Sequence, residues 1–122
     1  MPTLRVQNDT RGFVLGTRVQ LANTFVRRAV GLVGRRLGQG EGLLLMPCRS
    51  VHTFGITRPL DIVLFDRQGR VVAVREQLRP RRFTALFSQA FGVLELPEGT
   101  VRRSGTRVGD RVTWQPDPRG AA

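Results

Sequence analysis

The chain has one cysteine, one histidine and no lysine among its 122 residues. A single cysteine excludes an intrachain disulfide, and the two residues together cannot supply the roughly four ligands of a structural zinc site. We therefore expect neither a metal nor another cofactor. Long apolar runs are also missing, because the longest, Leu43–Met46, is far below the roughly 20 residues of a membrane span. Segment 1–9 has no apolar run like a signal-peptide core, which predicts a soluble, cytoplasmic protein.

The absence of lysine affects the interpretation of the charge. All twenty basic residues are arginines, against nine acidic residues, which gives a net charge of +11. Such a charge ordinarily indicates an anionic partner. The arginines are spread along the chain, however, and the seven phenylalanines and Trp114 form no pattern of a known RNA- or DNA-binding module. We therefore interpret the arginine content as compositional and expect no nucleic-acid binding beyond non-specific attraction.

The cysteine and the histidine lie in one short segment, whose predicted backbone limits their chemistry. The β-branched and aromatic residues of segment 49–54 predict a strand. Along an extended chain of about 3.3 Å per residue, Cys48 and His52 are roughly 13 Å apart, whereas a thiolate–imidazole dyad needs about 3 Å. Cys48 is therefore interpreted as a small structural residue. His52 is either a hydrogen-bonded structural histidine or one side of a polar concavity.

Alternating or continuous apolar segments predict a mainly β protein. The predicted strands lie near residues 4–7, 13–15, 19–22, 43–46, 49–54, 60–65, 70–74, 91–96 and 108–114. The clearest hairpin joins segments 60–65 and 70–74 through a turn. One short helix, at about residues 24–34, is predicted from a capping residue and apolar positions that share one face. We expect an antiparallel β-sandwich or barrel-like domain over residues 1–114 and a disordered tail over 115–122.

An ordered series of short motifs runs from about Ala22 to Val112. The motifs are residues 31–35, 40–45, Cys48, 51–55, 59–63, 94–96 and 109–110. Together they resemble the domain of unknown function 192 family. The resemblance implies a compact, mainly β domain of sandwich or barrel type with a short helix, and it implies no reaction, because the family has no established biochemical function. Val33 and Ile56 stand where the family usually has methionine, so a thioether copper site has no support there.

The polar residues near these motifs support three hypotheses of different classes. The first is a binding module whose shallow polar cleft takes a small anionic or sugar-like ligand. The second is a small hydrolase or isomerase with His52 as general base and Asp61 as its orienting carboxylate. The third is an arginine-rich docking domain for an anionic partner. The predicted ligand-binding residues are His52, Thr53, Arg58, Asp61, Glu95 and Arg35.

Three of these residues also have structural interpretations. Asp61 can accept hydrogen bonds from backbone donors at the start of its strand. Strand alternation favours an outward-facing Glu95, with a polar cleft as the other interpretation. Arg35 falls near the end of the predicted helix, where a cation interacts favourably with the helix dipole.

Overall fold

The computed structural model describes residues 3–23 and 36–117 of the chain. These residues form seven strands and one short helix, which confirms the mainly β prediction. The elements are β1 (Thr3–Asn8), β2 (Phe13–Ala22), β3 (Glu41–Leu45), β4 (Leu60–Phe65), β5 (Val71–Leu78), β6 (Gly92–Pro97), α1 (Thr100–Ser104) and β7 (Val112–Pro116). The helix predicted at 24–34 lies outside the described residues, and α1 was not predicted from the sequence. β7 extends two residues beyond Trp114 into the predicted tail, and residues 118–122 lie outside the described residues.

The strands form one mixed sheet in the order β5-β4-β6-β3-β2-β1-β7. Every neighbouring pair is antiparallel except β2 and β3, which run parallel. A parallel pair needs a crossover of a dozen or more residues, and segment 23–40 between these strands is long enough to provide it. The purely antiparallel expectation is therefore wrong for this pair alone.

The two edge strands, β5 and β7, approach each other at one corner of the sheet. An isolated antiparallel bridge joins Arg70 to Arg111 just before these strands begin. Beside it, the Val71 N–H donates to the Asp110 carbonyl and the Val112 N–H donates to the Gly69 carbonyl, both at 2.8 Å. The sheet therefore curls so that its edges meet at this corner, but it is not a closed barrel.

The central strands β3, β4 and β6 are buried on both faces, as their nearly continuous apolar sequences indicate. One face carries Leu44, Val63 and Leu94 and packs with Val101 of α1, in what we call the helix-side core. The other face forms the loop-side core. Its members include Leu43, Leu45, Ile62, Leu64 and Val93, joined by Val51 and Ile56 of the long segment between β3 and β4.

Segment 49–54 is not the strand that its residue types predict. It contains only an isolated antiparallel bridge between His52 and Phe83. Val51 and Thr53 nevertheless alternate inward and His52 and Phe54 outward, as they would in a strand. The reason for the difference is that the bridging partner is an irregular loop, which offers no regular ladder of hydrogen bonds. The segments 47–59 and 79–91 thus cover the loop-side core together.

Candidate functional site

The buried side chain of Thr53 joins the two covering segments. Its hydroxyl donates to the Arg79 carbonyl at 2.5 Å and accepts from the Arg82 N–H at 2.8 Å. Its backbone N–H donates to the Arg82 carbonyl at 2.9 Å, and its carbonyl accepts from the Arg81 N–H at 3.2 Å. Thr53 was predicted to contact a ligand, but its hydroxyl and backbone groups serve these internal bonds. Its role in the structure is to position the residues on either side of it.

Because Thr53 points inward, His52 and Phe54 point toward solvent, and the bridge brings Phe83 beside them. The ring centroids are 5.0 Å apart for Phe54 and Phe83, 6.0 Å for His52 and Phe54, and 6.5 Å for His52 and Phe83. Phe54 is 43% exposed and Phe83 is 73% exposed. We call His52, Phe54 and Phe83 the aromatic cluster. An exposed apolar group of this kind typically marks an interaction site.

The imidazole of His52 has a defined hydrogen-bonding state. Its Nδ1 accepts from the Phe54 N–H at 3.2 Å, so the neutral ring carries its proton on Nε2. A proton on Nδ1 would break this bond. His52 therefore offers a donor at Nε2 on the exposed side of the aromatic cluster.

Exposed arginines lie in the same two loops as the aromatic cluster. Segments 47–59 and 79–91, which we call the two-loop surface, contain five arginines and no aspartate or glutamate, and all five arginines are exposed. They are Arg49, Arg58, Arg79, Arg81 and Arg82. Within residues 3–23 and 36–117, the one ion pair joins Arg11 to Asp110 and thus involves none of the five. The two loops themselves therefore carry positive charge only, and the nearest carboxylates belong to other elements, with Glu98 lining a depression beside Arg58 and Asp66 lining one beside Arg49.

Arg58 lies at one end of this surface, beside a small depression. The depression has a volume of about 190 Å³ and is lined by Arg36, Arg58 and Glu98 together with apolar residues such as Ile56 and Pro59. Its size suits a single carboxylate or phosphate group, and two guanidinium groups supply charge and paired donors. Arg58 thus lines a depression, but His52, Thr53, Asp61 and Glu95, which were predicted to share a cleft with it, do not line this one, and Arg35 lies outside the described residues.

Asp61 lies on the opposite face of the sheet from His52. One carboxylate oxygen accepts from the Gln77 N–H at 2.9 Å, and the other accepts from the Val101 N–H at the start of α1 at 2.8 Å. Val101 belongs to the helix-side core, whereas Val51, the neighbour of His52, belongs to the loop-side core. The structure therefore does not bring His52 and Asp61 together, and the structural interpretation of Asp61 is the one that the geometry supports.

Glu95 is buried, with only 3% of its surface exposed, so the outward orientation favoured by alternation is wrong. Its cross-strand neighbours are Leu43 and Ile62, which places it on the loop-side face of β6. Because both faces of β6 are covered, successive side chains of this strand point alternately into the two cores rather than to solvent. Burial raises the pKa of the Glu95 carboxyl from 4.5 to about 7. Because this carboxyl is buried between the strands, it is not placed to contact a ligand at the surface.

Cys48 is half-buried and packs against the loop-side core. Its Sγ lies 3.0 Å from the Ser50 carbonyl oxygen, as a weak thiol donor would.

Within the part of the chain that the structure describes, no three Cys, His, Asp or Glu side chains are arranged to hold a metal ion. In the same residues, no helix combines the length and the apolar character that crossing a membrane requires.

The candidate residues predicted from the sequence include His52 and Arg58 but not Phe54, Arg81, Arg82 or Phe83. Phe54 is far in the chain from the other three, and the hydrogen bonds and the isolated bridge between the two loops bring them together. A local signal did exist for the second loop. Arg-Pro-Arg-Arg-Phe at residues 79–83 places charge and an aromatic ring next to a proline that interrupts the strand pattern.

Several known proteins are similar to this chain in sequence or in structure. A UPF0127 protein of Thermococcus gammatolerans is 30% identical over 88% of this chain and 72% of its own length. A UPF0127 protein of Pyrococcus abyssi is 28% identical over 88% of this chain and 94% of its own. The crystal structure of a protein of unknown function from Novosphingobium aromaticivorans superposes with a TM-score of 0.78 at 28% identity, over 91% of this chain and 83% of that one. Residues 6–114 match the family model of DUF192, described as "Uncharacterized ACR", and the chain therefore belongs to the DUF192 family.

Proposed function

We propose that this protein is a binding module for an anionic ligand and that the two-loop surface is its binding region. The observation that carries the proposal is the presence of five exposed arginines, with no acidic residue, on two loops fixed to each other through Thr53. Guanidinium groups pair with carboxylates and phosphates through two parallel hydrogen bonds. A surface that offers mainly donors suits an anion better than a neutral sugar.

The predicted residues divide into two groups in this proposal. Arg58 contacts the anion at the depression, and His52 supplies a donor from Nε2. Thr53 is a positioning residue, whereas Asp61 and Glu95 have structural places away from the ligand. The hydrolase or isomerase hypothesis receives no support, because the carboxylate that it requires beside His52 lies across the sheet. The cytoplasmic location and the single-domain assignment stay predictions from the sequence.

A titration with inorganic tripolyphosphate, followed by amide NMR shifts, tests the proposal. We expect the shifts to concentrate in residues 47–59 and 79–91. Arg81→Gln/Arg82→Gln should weaken binding about ten-fold, since two charge-assisted contacts are lost. The matched control is Arg102→Gln/Arg103→Gln, which removes the same charge from another exposed pair, on α1. The control should change the affinity much less.

Equal losses in the two double variants would show that net charge alone attracts the anion, and the proposal would then be wrong.

Arg58→Lys separates the effect of side-chain geometry from that of charge at the depression. It should weaken binding although the charge is kept, because an ammonium group cannot form the planar pair of donors. Unchanged affinity would remove Arg58 from the site.

A further inference from the structure

We propose that the anionic ligand is single-stranded nucleic acid, with unpaired bases stacked on the aromatic cluster and the adjoining phosphates bound by arginines. This inference rests on the function proposed above and specifies its ligand. The ligand must then carry planar rings between its charged groups, in addition to being anionic.

The exposed rings are the first step of the argument. Among the residues that the structure describes, Phe54 and Phe83 are the two exposed phenylalanines, and their centroids lie 5.0 Å apart. The cation–π contacts of the described residues use other rings, with the Arg67 guanidinium 4.6 Å from the centre of Phe91 and that of Arg75 5.3 Å from the centre of Phe87. The cluster rings therefore remain open to a planar partner. Unpaired bases stack on such rings in many single-strand-binding proteins, largely without regard to sequence.

The position of the charges is the second step. The backbone N–H groups of Arg81 and Arg82 bond to Thr53, which lies between the two cluster members His52 and Phe54 in the chain. Phe83, the third member, directly follows Arg82. Arg81 and Arg82 thus lie two residues and one residue before Phe83 in the chain, which places two positive charges in the loop that carries this ring. Arg49 and Arg58 extend the positive surface beyond a single nucleotide.

The support beneath the cluster favours a nucleic acid over a lipid surface. Phe54 is more than half covered, and its loop is fixed by the four hydrogen bonds of Thr53 to segment 79–82. Base stacking needs rings that are held in place in this way, and Phe83, which protrudes with 73% of its surface exposed, is held next to Phe54 by the bridge to His52. A double helix is excluded as the preferred ligand, because its bases are already stacked.

Fluorescence anisotropy at physiological salt compares three ligands: a 12-residue deoxythymidine oligonucleotide, an abasic oligonucleotide with the same phosphates, and thymidine monophosphate. We expect wild type to bind the deoxythymidine strand at least about five-fold more tightly than the abasic strand. Phe83→Leu and Phe54→Leu should reduce this ratio toward one and leave abasic binding unchanged. Phe83→Trp should keep or increase the ratio. Val108→Ala, which trims an exposed apolar residue beside β5, is the control and should not change it.

Equal binding of the two strands by wild type would overturn this inference while leaving the anion-binding function in place. Binding of neither strand would overturn both. Equal affinity for thymidine monophosphate and the deoxythymidine strand would replace the single strand with a free nucleotide. Tighter binding to anionic phospholipid vesicles than to the deoxythymidine strand, lost in Phe83→Leu, would assign the aromatic cluster to a membrane surface instead. Thermal unfolding of each variant confirms that the fold is retained.

Discussion

Glu95 is the residue whose charge state most directly affects the stability of this protein. Its carboxyl is buried among apolar cross-strand neighbours, and burial raises its pKa from 4.5 to about 7. Below pH 4.5 the group is protonated in both the folded and the unfolded chain. Between pH 4.5 and 7 the unfolded chain ionises while the folded chain keeps its proton, so stability falls as pH rises. Above pH 7 both states are ionised and the loss is complete.

Glu95→Gln should remove this dependence, because an amide does not ionise. We expect the variant and wild type to have similar stability at pH 4, and the variant to be more stable at pH 8 by at most about 3 kcal/mol. Urea unfolding at a series of pH values measures the difference. Glu98→Gln, which changes an exposed carboxylate three residues away, is the control and should keep the slope of wild type. A Glu95→Gln variant with that same slope would contradict the prediction.

Among the elements, α1 depends on a residue far away in the sequence. It spans only Thr100–Ser104 and lies between Gly99 and Gly105, both in the left-handed region with φ of +91° and +71°. Its first-turn N–H at Val101 donates to Asp61 of β4, which thereby serves as the cap that the helix lacks locally. So short a helix is not stable alone, and its existence follows from this tertiary bond.

Asp61→Asn should therefore destabilise the fold by about 2 kcal/mol. An amide has one acceptor oxygen, so either the Gln77 or the Val101 N–H loses its partner. Urea unfolding measures the loss, and faster amide exchange at Val101 would localise it to α1. Asp66→Asn is the control, because Asp66 accepts both of its backbone bonds on one oxygen and an amide can keep them. Full stability combined with weakened tripolyphosphate binding would instead return Asp61 to the ligand site.

The elements also differ in how far the sequence predicts them. The hairpin of β4 and β5 was predicted because two apolar segments and the Gly-containing turn between them act locally, and both strands form, with β5 continuing to Leu78. Segment 49–54 also contains β-branched and aromatic residues, but its partner is the irregular loop at Phe83. Whether a segment becomes a strand depends on the edge that it meets, and its own residues do not contain that information.

At the scale of the whole molecule, the same limit applies to the candidate site. The arginines of the two-loop surface lie in two segments separated by β4 and β5, and their sequence spacing resembles that of arginines elsewhere in the chain. The fold joins the two segments through Thr53, which brings Arg79, Arg81 and Arg82 to the loop that carries His52 and Phe54. The sequence therefore predicted an arginine-rich protein and individual candidate residues such as Arg58. The aromatic cluster could be identified only from the structure.

The corner where the edges of the sheet meet is organised by Asp110. Its carboxylate accepts from the Arg11 Nε–H at 2.9 Å, the Asn8 side-chain amide at 3.0 Å and the Arg107 N–H at 3.1 Å. Its carbonyl accepts from the first N–H of β5. Burial opposes ionisation of this carboxyl, but the hydrogen bonds from Arg11, Asn8 and Arg107 and the charge of Arg11 outweigh it and lower its pKa to about 2. Through its ionised carboxylate and its carbonyl, Asp110 thus links β1, β5 and the loop that leads into β7.

Asp110→Asn should weaken the closure of the sheet and the whole fold with it. We expect a loss of about 1–3 kcal/mol at pH 7, because buried donors from Asn8 and Arg107 lose a charged acceptor. Because the pKa of Asp110 is lower in the folded chain than in the unfolded chain, ionisation of its carboxyl stabilises the fold above about pH 4. This stabilisation disappears as pH falls toward 2. The difference in unfolding free energy between wild type and Asp110→Asn should therefore shrink between pH 4 and pH 2. Urea unfolding measures this difference, and Glu76→Gln, which changes an exposed carboxylate, is the control. A constant difference over that range would mean that Asp110 stabilises the corner through packing rather than through its charge.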